Sequence, residues 1–264
     1  MLEDRMMSVK LPQIAGEDDD GHHSANRRSF ITVATLSAIA AAASTQSAAA
    51  HAAAPGRGSG RSFGASDREQ LDRLAVAELV TRERSARDQG MWDEMAECYH
   101  PESRIETAWF KGTGAEFVAS TRRILGNGTI VSLHQLAPSV VEIRGDRALA
   151  DTGCQLLGFQ DFEGVAVVRM GQVRLLWRAK KLGSAWLIMG LNVIYVRDLL
   201  LPCNPNHVPK IDDAEIAKYR LSYRYESLVF AHAGRPVHDD LPGIDRPETV
   251  TAIRAADAAW LAGG

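Results

Sequence analysis

The chain has 264 residues, of which 45% are hydrophobic and 24% are charged, and both values are ordinary for a globular protein. Its length allows one substantial domain with tails, or two small domains. A formal net charge of −3 and a pI near 6.2 provide no basic surface, so nucleic acid is not an expected partner. The three cysteines match neither a zinc site nor a disulfide framework, and we expect most of them to be buried as small hydrophobic residues.

The first 52 residues resemble a secretory signal peptide. Arg27 and Arg28 precede an apolar, alanine-rich run, and the sequence AHA that follows has the form of an A-x-A cleavage signal. The run is too short to span a bilayer comfortably, and NRRSFIT is similar to a twin-arginine signal. We expect residues 1–52 to export the protein, to the periplasm or outside the cell, with no membrane attachment after cleavage. The alternative is a disordered basic tail.

A linker and one long helix are predicted next. Residues 53–66 are rich in Gly, Ser, Pro and Arg, which predicts a flexible linker. Ser66 is a suitable N-cap, and apolar residues at helical spacing predict a helix over 67–88. Gly90 breaks this helix. One stripe of it changes from apolar to small and polar, which is typical of a helix that lines a cavity: Leu74, Ala77, Thr81, Ser85 and Asp88.

Two shorter helices and several strands follow. MWDEMAECY predicts a helix that ends at Pro101, with His100 as a favourable cation near its C-terminus. Thr113 and Gly126 bracket a third helix, and RIETAWF alternates as a strand. Four longer runs with turn-like junctions predict strands: 129–143, 147–160, 164–181 and 185–198.

This order of elements predicts an α+β fold. Connections of hairpin length indicate a curved antiparallel sheet, and helices on its concave side would enclose a conical pocket. Residues 67–200 contain this domain, and residues 201–264 form a C-terminal helical extension. In the extension, the sequence predicts one helix over 212–234 and another from Pro247 to Leu261. The extension either closes the open end of the cavity or wraps a neighbouring subunit.

Four stretches carry a resemblance to the NTF2-like superfamily, in its SnoaL-like branch: LDRLAVAELV, RDQGMWDEMAECYHPES, SLHQLAPSVVEIRGDRALADT and SAWLIMGLNVIYVRD. That branch includes scytalone dehydratase, bile acid 7-dehydratase and lindane dehydrochlorinase. The resemblance implies a homo-oligomer, either a dimer or a trimer, and a small hydrophobic ligand such as a polyketide or steroid. It also implies an exported lyase of the dehydratase type, or an isomerase, that needs no cofactor. The alternative is a non-catalytic module that binds a hydrophobic molecule.

The resemblance also places Asp88 and His134 at the positions of a catalytic dyad. His134 lies in a predicted strand whose two faces are equally apolar, so a buried imidazole there requires a hydrogen-bond partner. A carboxylate fixes the imidazole tautomer and favours the protonated form. In an elimination, the imidazole would remove a proton and pass it to the departing oxygen. Alternatively, Asp88 caps the second helix and His134 is a core histidine.

The pattern departs from the family at one position. The bile acid dehydratase and the dehydrochlorinase carry Tyr or Lys five residues before the aspartate, where this chain has Glu83. Substrate contacts are therefore expected from Glu83 and from other residues on predicted strands: Tyr195, Asn192, Trp109 and Arg178. Arg178 shares a strand row with Arg174 and Lys180 and is a candidate to hold a carboxylate or carbonyl; the alternative is a solvated or interface-facing charge row. The remaining histidines lack metal-ligand spacing, so no metal is expected.

Overall fold

The computed structural model describes residues 66–128 and 130–264. The predicted signal peptide, and the linker up to residue 65, lie outside the described residues. The helices are α1 Asp67–Gln89, α2 Trp92–Glu97, α3 Gly114–Leu125, α4 Asp213–Ile216, α5 Arg224–His232 and α6 Pro247–Leu261. The strands are β1 Tyr99–Thr107, β2 Phe110–Gly112, β3 Val131–Leu136, β4 Val140–Arg144, β5 Arg147–Phe162, β6 Val165–Leu182 and β7 Ala185–Pro202.

The seven strands form one curved, unclosed sheet, which confirms the α+β fold. Its strand order is β2-β1-β7-β6-β5-β3, and β4 also pairs with β5. The three long strands β5, β6 and β7 are antiparallel neighbours, as their turn-like junctions predict. However, β1 pairs with β7 in parallel, whereas the sequence indicates an antiparallel sheet throughout. The reason is that β1 reaches the sheet from α2 and is not joined to β7 by a hairpin.

The predicted helix boundaries depend on capping residues that the structure confirms. The hydroxyl of Ser66 accepts a hydrogen bond from the backbone N–H of Glu69 at the start of α1. Gly90 ends α1 in the left-handed conformation, with φ of 73°, which glycine adopts without steric cost. Thr113 and Glu116 form a reciprocal capping box at the start of α3.

Three local predictions were wrong. The run predicted as one strand over 129–143 is divided into β3 and β4 around Pro138, which has no N–H to donate to a ladder. The helix predicted over 212–234 is divided into α4 and α5 by a stretch of turns. His100 does not end a helix: it lies in β1, and its Nδ1 accepts a hydrogen bond from the N–H of Glu102.

The sheet has an inner face toward α1 and an outer face toward α6. Trp177 on the inner face is fully buried beneath the guanidinium of Arg84 from α1. Arg178, the next residue of β6, points to the outer face and donates to Asp257 of α6 over 2.8 Å. Residues directly opposite each other on antiparallel strands share a face, so these two contacts fix the direction of most side chains in β5, β6 and β7.

The C-terminal extension covers both faces. Glu226 of α5 pairs with Arg169 on the inner face over 2.9 Å, and its backbone N–H donates to Asp198 over 2.7 Å. Burial raises the pKa of Asp198 to about 6. At the other end of α5, both ring nitrogens of His232 lie 2.9 Å from carboxylate oxygens, one of Glu163 and one of Glu215. The extension therefore packs against the sheet of its own chain, and closure of the pocket stays a prediction.

An apolar patch remains exposed on the outer face. Cross-strand neighbours in β3, β5 and β7 contribute its most exposed side chains: Val131, Leu133, Phe159, Leu199 and Leu201. A second copy of the chain would bury this patch, and the expected homo-oligomer stays a prediction.

The described residues contain neither a membrane-spanning helix nor a metal-binding cluster. Among residues 66–128 and 130–264, no helix is long and apolar enough to cross a membrane. The same residues contain no group of three or more metal-ligating side chains. All three cysteines are free: Cys98 and Cys154 are buried as expected, whereas Cys203 is exposed.

Candidate functional site

Asp88 and His134 are in contact. The carboxylate oxygen Oδ1 of Asp88 lies 2.8 Å from Nδ1 of His134, and Oδ2 accepts the backbone N–H of the same residue over 2.6 Å. The side chain of His134 is only 2% exposed and that of Asp88 is 12% exposed. Two contacts from one carboxylate hold the last turn of α1 against β3, so the imidazole has a fixed orientation.

Asp88 does not cap α2. The N-cap of α2 is Met91, which makes no side-chain capping bond. The carboxylate of Asp88 is directed instead toward β3, where His134 lies opposite Leu156 of β5 on the inner face of the sheet. Gly90 makes this possible, because its left-handed conformation ends α1 immediately after the turn that carries Asp88.

The contact with Asp88 decides the tautomer of His134. A carboxylate is an acceptor, so Nδ1 at 2.8 Å from it carries the hydrogen. In the neutral ring, Nε2 is then left with its lone pair. The arrangement therefore presents a neutral imidazole whose Nε2 can accept a proton.

Arg87 is a third member of the site, and the sequence interpretation missed it. Its Nη1 lies 3.1 Å from Oδ1 of Asp88, 3.3 Å from the hydroxyl of Ser132, and 3.5 Å from Nδ1 of His134. The side chain is only 6% exposed, although an arginine in an amphipathic helix is ordinarily placed on the solvent side. Its position directly before Asp88 was the available signal, because a cation beside a buried carboxylate compensates its charge.

The pKa of His134 corrects one expectation. A carboxylate partner alone would raise the pKa of the imidazole, but burial and the nearby Arg87 cation outweigh Asp88 and lower it to about 3. Burial also lowers the pKa of Arg87 to about 10, which leaves it charged at neutral pH. Burial opposes ionisation of Asp88, yet its hydrogen bond to His134 and the charge of Arg87 bring its pKa below the ordinary value. The neutral imidazole is thus the stable form.

The stripe of α1 predicted to line a cavity is mostly exposed. Leu74 is 67% exposed, and the hydroxyl of Thr81 returns to the carbonyl of Ala77 in its own helix. The buried face of α1 is formed by positions outside this stripe, and it includes charged residues: Val76, Leu79, Val80, Glu83, Arg84, Ala86 and Arg87. Only Asp88 of the predicted stripe reaches the site.

A small cavity adjoins the pair. We call it the inner cavity, and its volume is about 50 Å³. Its walls come from α1, α3, β3, β5, β6 and α5, and they include Arg87, Thr121, Ser132, Gly158, Arg169 and Phe230. His134 and Asp88 lie behind Arg87 and Ser132 and are not part of these walls. A wider groove of about 510 Å³, the outer groove, shares Ile130, Gln160, Phe230 and Arg235 with the inner cavity.

The other residues predicted to contact substrate are distributed widely. Trp109 lines the inner cavity. The hydroxyl of Tyr195 accepts the backbone N–H of Ala108, so it supports the turn that presents Trp109. Asn192 lies opposite Leu176 on the outer face, away from the inner cavity.

Arg178 also lies on the outer face. It is bonded to Asp257 and lies over the ring of Trp260. The structure therefore does not bring it to the inner cavity, and the interpretation of a charge row at an interface, here with α6, fits its contacts.

Glu83 is engaged inside the protein. It is 0% exposed, and its two carboxylate oxygens accept from the guanidinium of Arg84 and from the hydroxyl of Tyr99 over 2.6 Å. The charge of Glu83 raises the pKa of Arg84 against the effect of burial. Burial, together with that same carboxylate, raises the pKa of Tyr99 well above its ordinary value. Since these contacts occupy both oxygens, Glu83 supports α1 and does not reach the inner cavity.

Substituting Glu83→Gln should strongly destabilise the protein. It removes the partner of a buried guanidinium, a change that costs on the order of 3–5 kcal/mol. Urea denaturation should show a lower midpoint with an unchanged slope. Glu106→Ala, which removes an exposed pair with Lys111, is the matched control and should leave the midpoint in place. Equal midpoints for the two variants would contradict this account of Glu83.

Removal of the Arg87 cation should raise the pKa of His134. In Arg87→Met we expect an increase of about one pH unit or more, because a nearby like charge is lost. The His134 ring signals in an NMR titration would measure it. Arg82→Met, which changes an exposed arginine of the same helix, is the control. No difference between the two variants would mean that burial alone controls the imidazole.

The same shift predicts the sign of acid destabilisation. In the unfolded chain, His134 binds a proton near its ordinary pKa of 6.5, whereas in the folded protein it binds one only near 3. The unfolded state therefore takes up the proton first, and the free energy of unfolding decreases as the pH falls from about 6.5 toward 3. This loss should be smaller in Arg87→Met.

Comparisons with curated proteins find two relatives in one fungus. The chain is 27% identical over 198 residues to Pea pathogenicity protein 2 of Fusarium vanettenii, with 73% of this chain and 84% of that protein covered. It is 26% identical over 183 residues to a PEP2-like protein of the same fungus, with 67% and 77% covered.

Comparisons with solved structures give weaker likenesses. Hexachlorocyclohexane dehydrochlorinase LinA-type3 from Novosphingobium barchaimii LL02 aligns with a TM-score of 0.45 at 12% identity, over 54% of this chain and 97% of that one. A putative scytalone dehydratase from Novosphingobium aromaticivorans aligns with a TM-score of 0.42 at 14% identity, over 56% and 96%.

A family model agrees with the resemblance drawn from the sequence. The model described as a SnoaL-like domain matches residues 68–192, which run from α1 into β7 and include Asp88, Arg87 and His134. Residues 68–192 are therefore similar to a SnoaL-like domain.

Proposed function

We propose that the domain catalyses a cofactor-independent elimination of the dehydratase type on a small hydrophobic ring compound. The observation that carries the proposal is the fixed, neutral imidazole of His134, with Nδ1 bonded to Asp88 and Nε2 free to act as a base. The match to a SnoaL-like domain supports it, since the resemblance drawn from the sequence includes dehydratases and implies a small hydrophobic ligand.

The proposed reaction begins with proton transfer to His134. Nε2 removes the proton from a carbon next to a carbonyl, and the C–H electron pair forms an enolate. The enolate then expels a hydroxyl group from the neighbouring carbon and leaves a carbon–carbon double bond. The imidazolium returns its proton to the departing oxygen, which leaves as water, and His134 is neutral again.

In this scheme Arg87 interacts with both charges that form, the negative enolate oxygen and the positive imidazolium. The enolate oxygen is negative, and a guanidinium in a nearly dry site is an effective partner for it. Arg87 is also one cause of the low pKa of His134. A negative charge that forms beside Arg87 cancels part of its repulsion of the imidazolium, so the proton transfer becomes easier as the oxyanion develops.

The second candidate function is a non-catalytic module that binds a hydrophobic ligand. Two observations favour it: His134 is almost wholly buried behind Arg87, and Glu83 stands where related enzymes carry Tyr or Lys. In that case Asp88 and His134 would be a structural pair. An isomerase differs from the elimination in the acceptor of the proton: the imidazolium returns it to another carbon of the substrate, and no group leaves.

Activity assays with variants distinguish these functions. We expect the protein to convert members of a panel of cyclic β-hydroxy ketones to enones, followed by absorbance. His134→Ala should lower kcat by about 10² to 10⁴, the usual contribution of general acid–base catalysis. His207→Ala removes an exposed histidine and should have no effect. Ligand binding without turnover by the wild-type protein would favour the binding module.

We also propose that the protein is exported by the twin-arginine route. The support is the order of Arg27 and Arg28, the apolar run and the AHA sequence. Expressed in a bacterium with this translocase, the wild-type protein should reach the periplasm, and a variant with Arg27→Lys and Arg28→Lys should remain in the cytoplasm. Arg5→Lys is the control. Equal periplasmic fractions for both variants would contradict the proposal.

A further inference from the structure

Unpartnered hydrogen-bond donors are concentrated around the inner cavity. Among the described residues, seven buried side-chain nitrogen or oxygen atoms have no hydrogen-bond partner. Three of these belong to residues that line this one cavity: Nε of Arg87, Nε of Arg169 and the hydroxyl of Thr121. A buried donor without an acceptor is costly. These three atoms themselves have almost no accessible surface, so the donors that a ligand in the cavity can reach are the other nitrogen atoms of the same guanidinium groups.

The charges in the walls have one sign. Arg87, Arg169 and Arg235 contribute guanidinium groups to the inner cavity, and no carboxylate lines it. Asp88 compensates Arg87 over 3.1 Å, and Glu226 compensates Arg169 over 2.9 Å, both from outside these walls. Among residues 66–128 and 130–264, Arg235 has no ion pair; it lies over the ring of Phe230. One positive charge at the cavity is therefore left over.

The sheet leaves room around Arg169. Gly158 of β5 lies directly opposite it, and a Cβ on this glycine would be 3.4 Å from a terminal nitrogen of the guanidinium. A side chain at position 158 would therefore cover the group from the cavity side. Glycine at this position leaves the guanidinium accessible to a planar acceptor, such as a carboxylate, that approaches from the cavity.

The two volumes fit an amphiphilic ligand. A space of about 50 Å³ holds a group of a few atoms, since it is much smaller than the cavity of about 150 Å³ that accepts benzene in another protein. A ring does not fit there. The outer groove of about 510 Å³ is large enough for a ring, and its walls include Phe162, Val229 and Phe230. Phe230 and Arg235 of the extension stand where the two spaces join.

We propose that the substrates of this domain are hydrophobic ring compounds that carry a carboxylate, which enters the inner cavity and binds the arginines there. The ring occupies the outer groove. That these compounds are substrates rests on the proposed function, whereas binding of their carboxylate does not require turnover. The role considered for Arg178 from the sequence thus belongs to Arg87, Arg169 and Arg235 on the opposite face.

The test uses the full chain labelled with ¹⁵N-arginine, with benzoate as the probe and uncharged benzamide as its matched analogue. At constant ionic strength, benzoate should shift the Nε–H signals of Arg87 and Arg169, and benzamide should not. Calorimetry should show that Arg235→Met weakens benzoate binding at least tenfold. Arg174→Met is the control, because Arg174 lies on the outer face of the same strand as Arg169 and pairs with Asp151. Arg169→Lys keeps a positive charge beside Glu226 but has no Nε–H at this position, so the signal that disappears in this variant is that of Arg169.

Three results would overturn the inference: equal shifts with benzoate and benzamide, equal affinities in Arg235→Met and Arg174→Met, or shifts confined to Arg235. These outcomes are separate from those of the proposed function. His134→Ala should bind benzoate as tightly as the wild-type protein although its activity is lost. If the protein converts β-hydroxy ketones but does not bind benzoate selectively, the proposed elimination is retained and the proposal of a carboxylate-bearing substrate is rejected.

Discussion

The contact between Asp88 and the β3 strand is the constraint on which the site depends. One carboxylate accepts both the backbone N–H and the ring nitrogen of His134, so the end of α1, the position of β3 and the imidazole tautomer are fixed together. The contact lies in a region of low exposure where an unpaired carboxylate would be costly. Arg87 reduces the cost of burying this carboxylate, because it supplies the opposite charge from the adjacent position in the same helix.

A second pair of adjacent residues in α1 repeats this solution one turn earlier. Glu83 and Arg84 neutralise each other inside the protein, with Tyr99 completing the hydrogen bonding and Trp177 covering the guanidinium. The helix therefore inserts four charged side chains, as two neutral pairs, between itself and the sheet. The inner cavity begins where this polar layer meets β3 and the wall from α5. Its chemistry is that of buried guanidinium groups, although the surrounding core is apolar.

Much of the fold could be predicted from the sequence, because long elements carry regular signals. The strands β5, β6 and β7 with their turn-like junctions, the caps of α1 and α3, and the turn at Gly90 are all found in the structure. The divisions at Pro138 and in the 212–234 region were not predicted. The prolyl residue was itself a sufficient signal for the first of these.

The candidate site was predictable only in part. Asp88 and His134 were found through the family resemblance, and they do meet. Arg87 and the buried face of α1 were not found, because charged residues are ordinarily read as exposed. These charged residues can be buried because they contact partners distant in the chain, such as Ser132, Tyr99 and Trp177. The contribution of α5 to the cavity had no local signal at all, since docking of a terminal helix depends on the completed sheet.

The two carboxylates around His232 have a consequence for the extension. A neutral imidazole has one N–H and can donate to only one of Glu163 and Glu215, whereas the imidazolium can donate to both. Both contacts hold the C-terminal end of α5, since Glu163 belongs to the turn between β5 and β6 and Glu215 belongs to α4. Phe230, two residues earlier in α5, therefore keeps its position in the cavity wall through side chains that do not line the inner cavity.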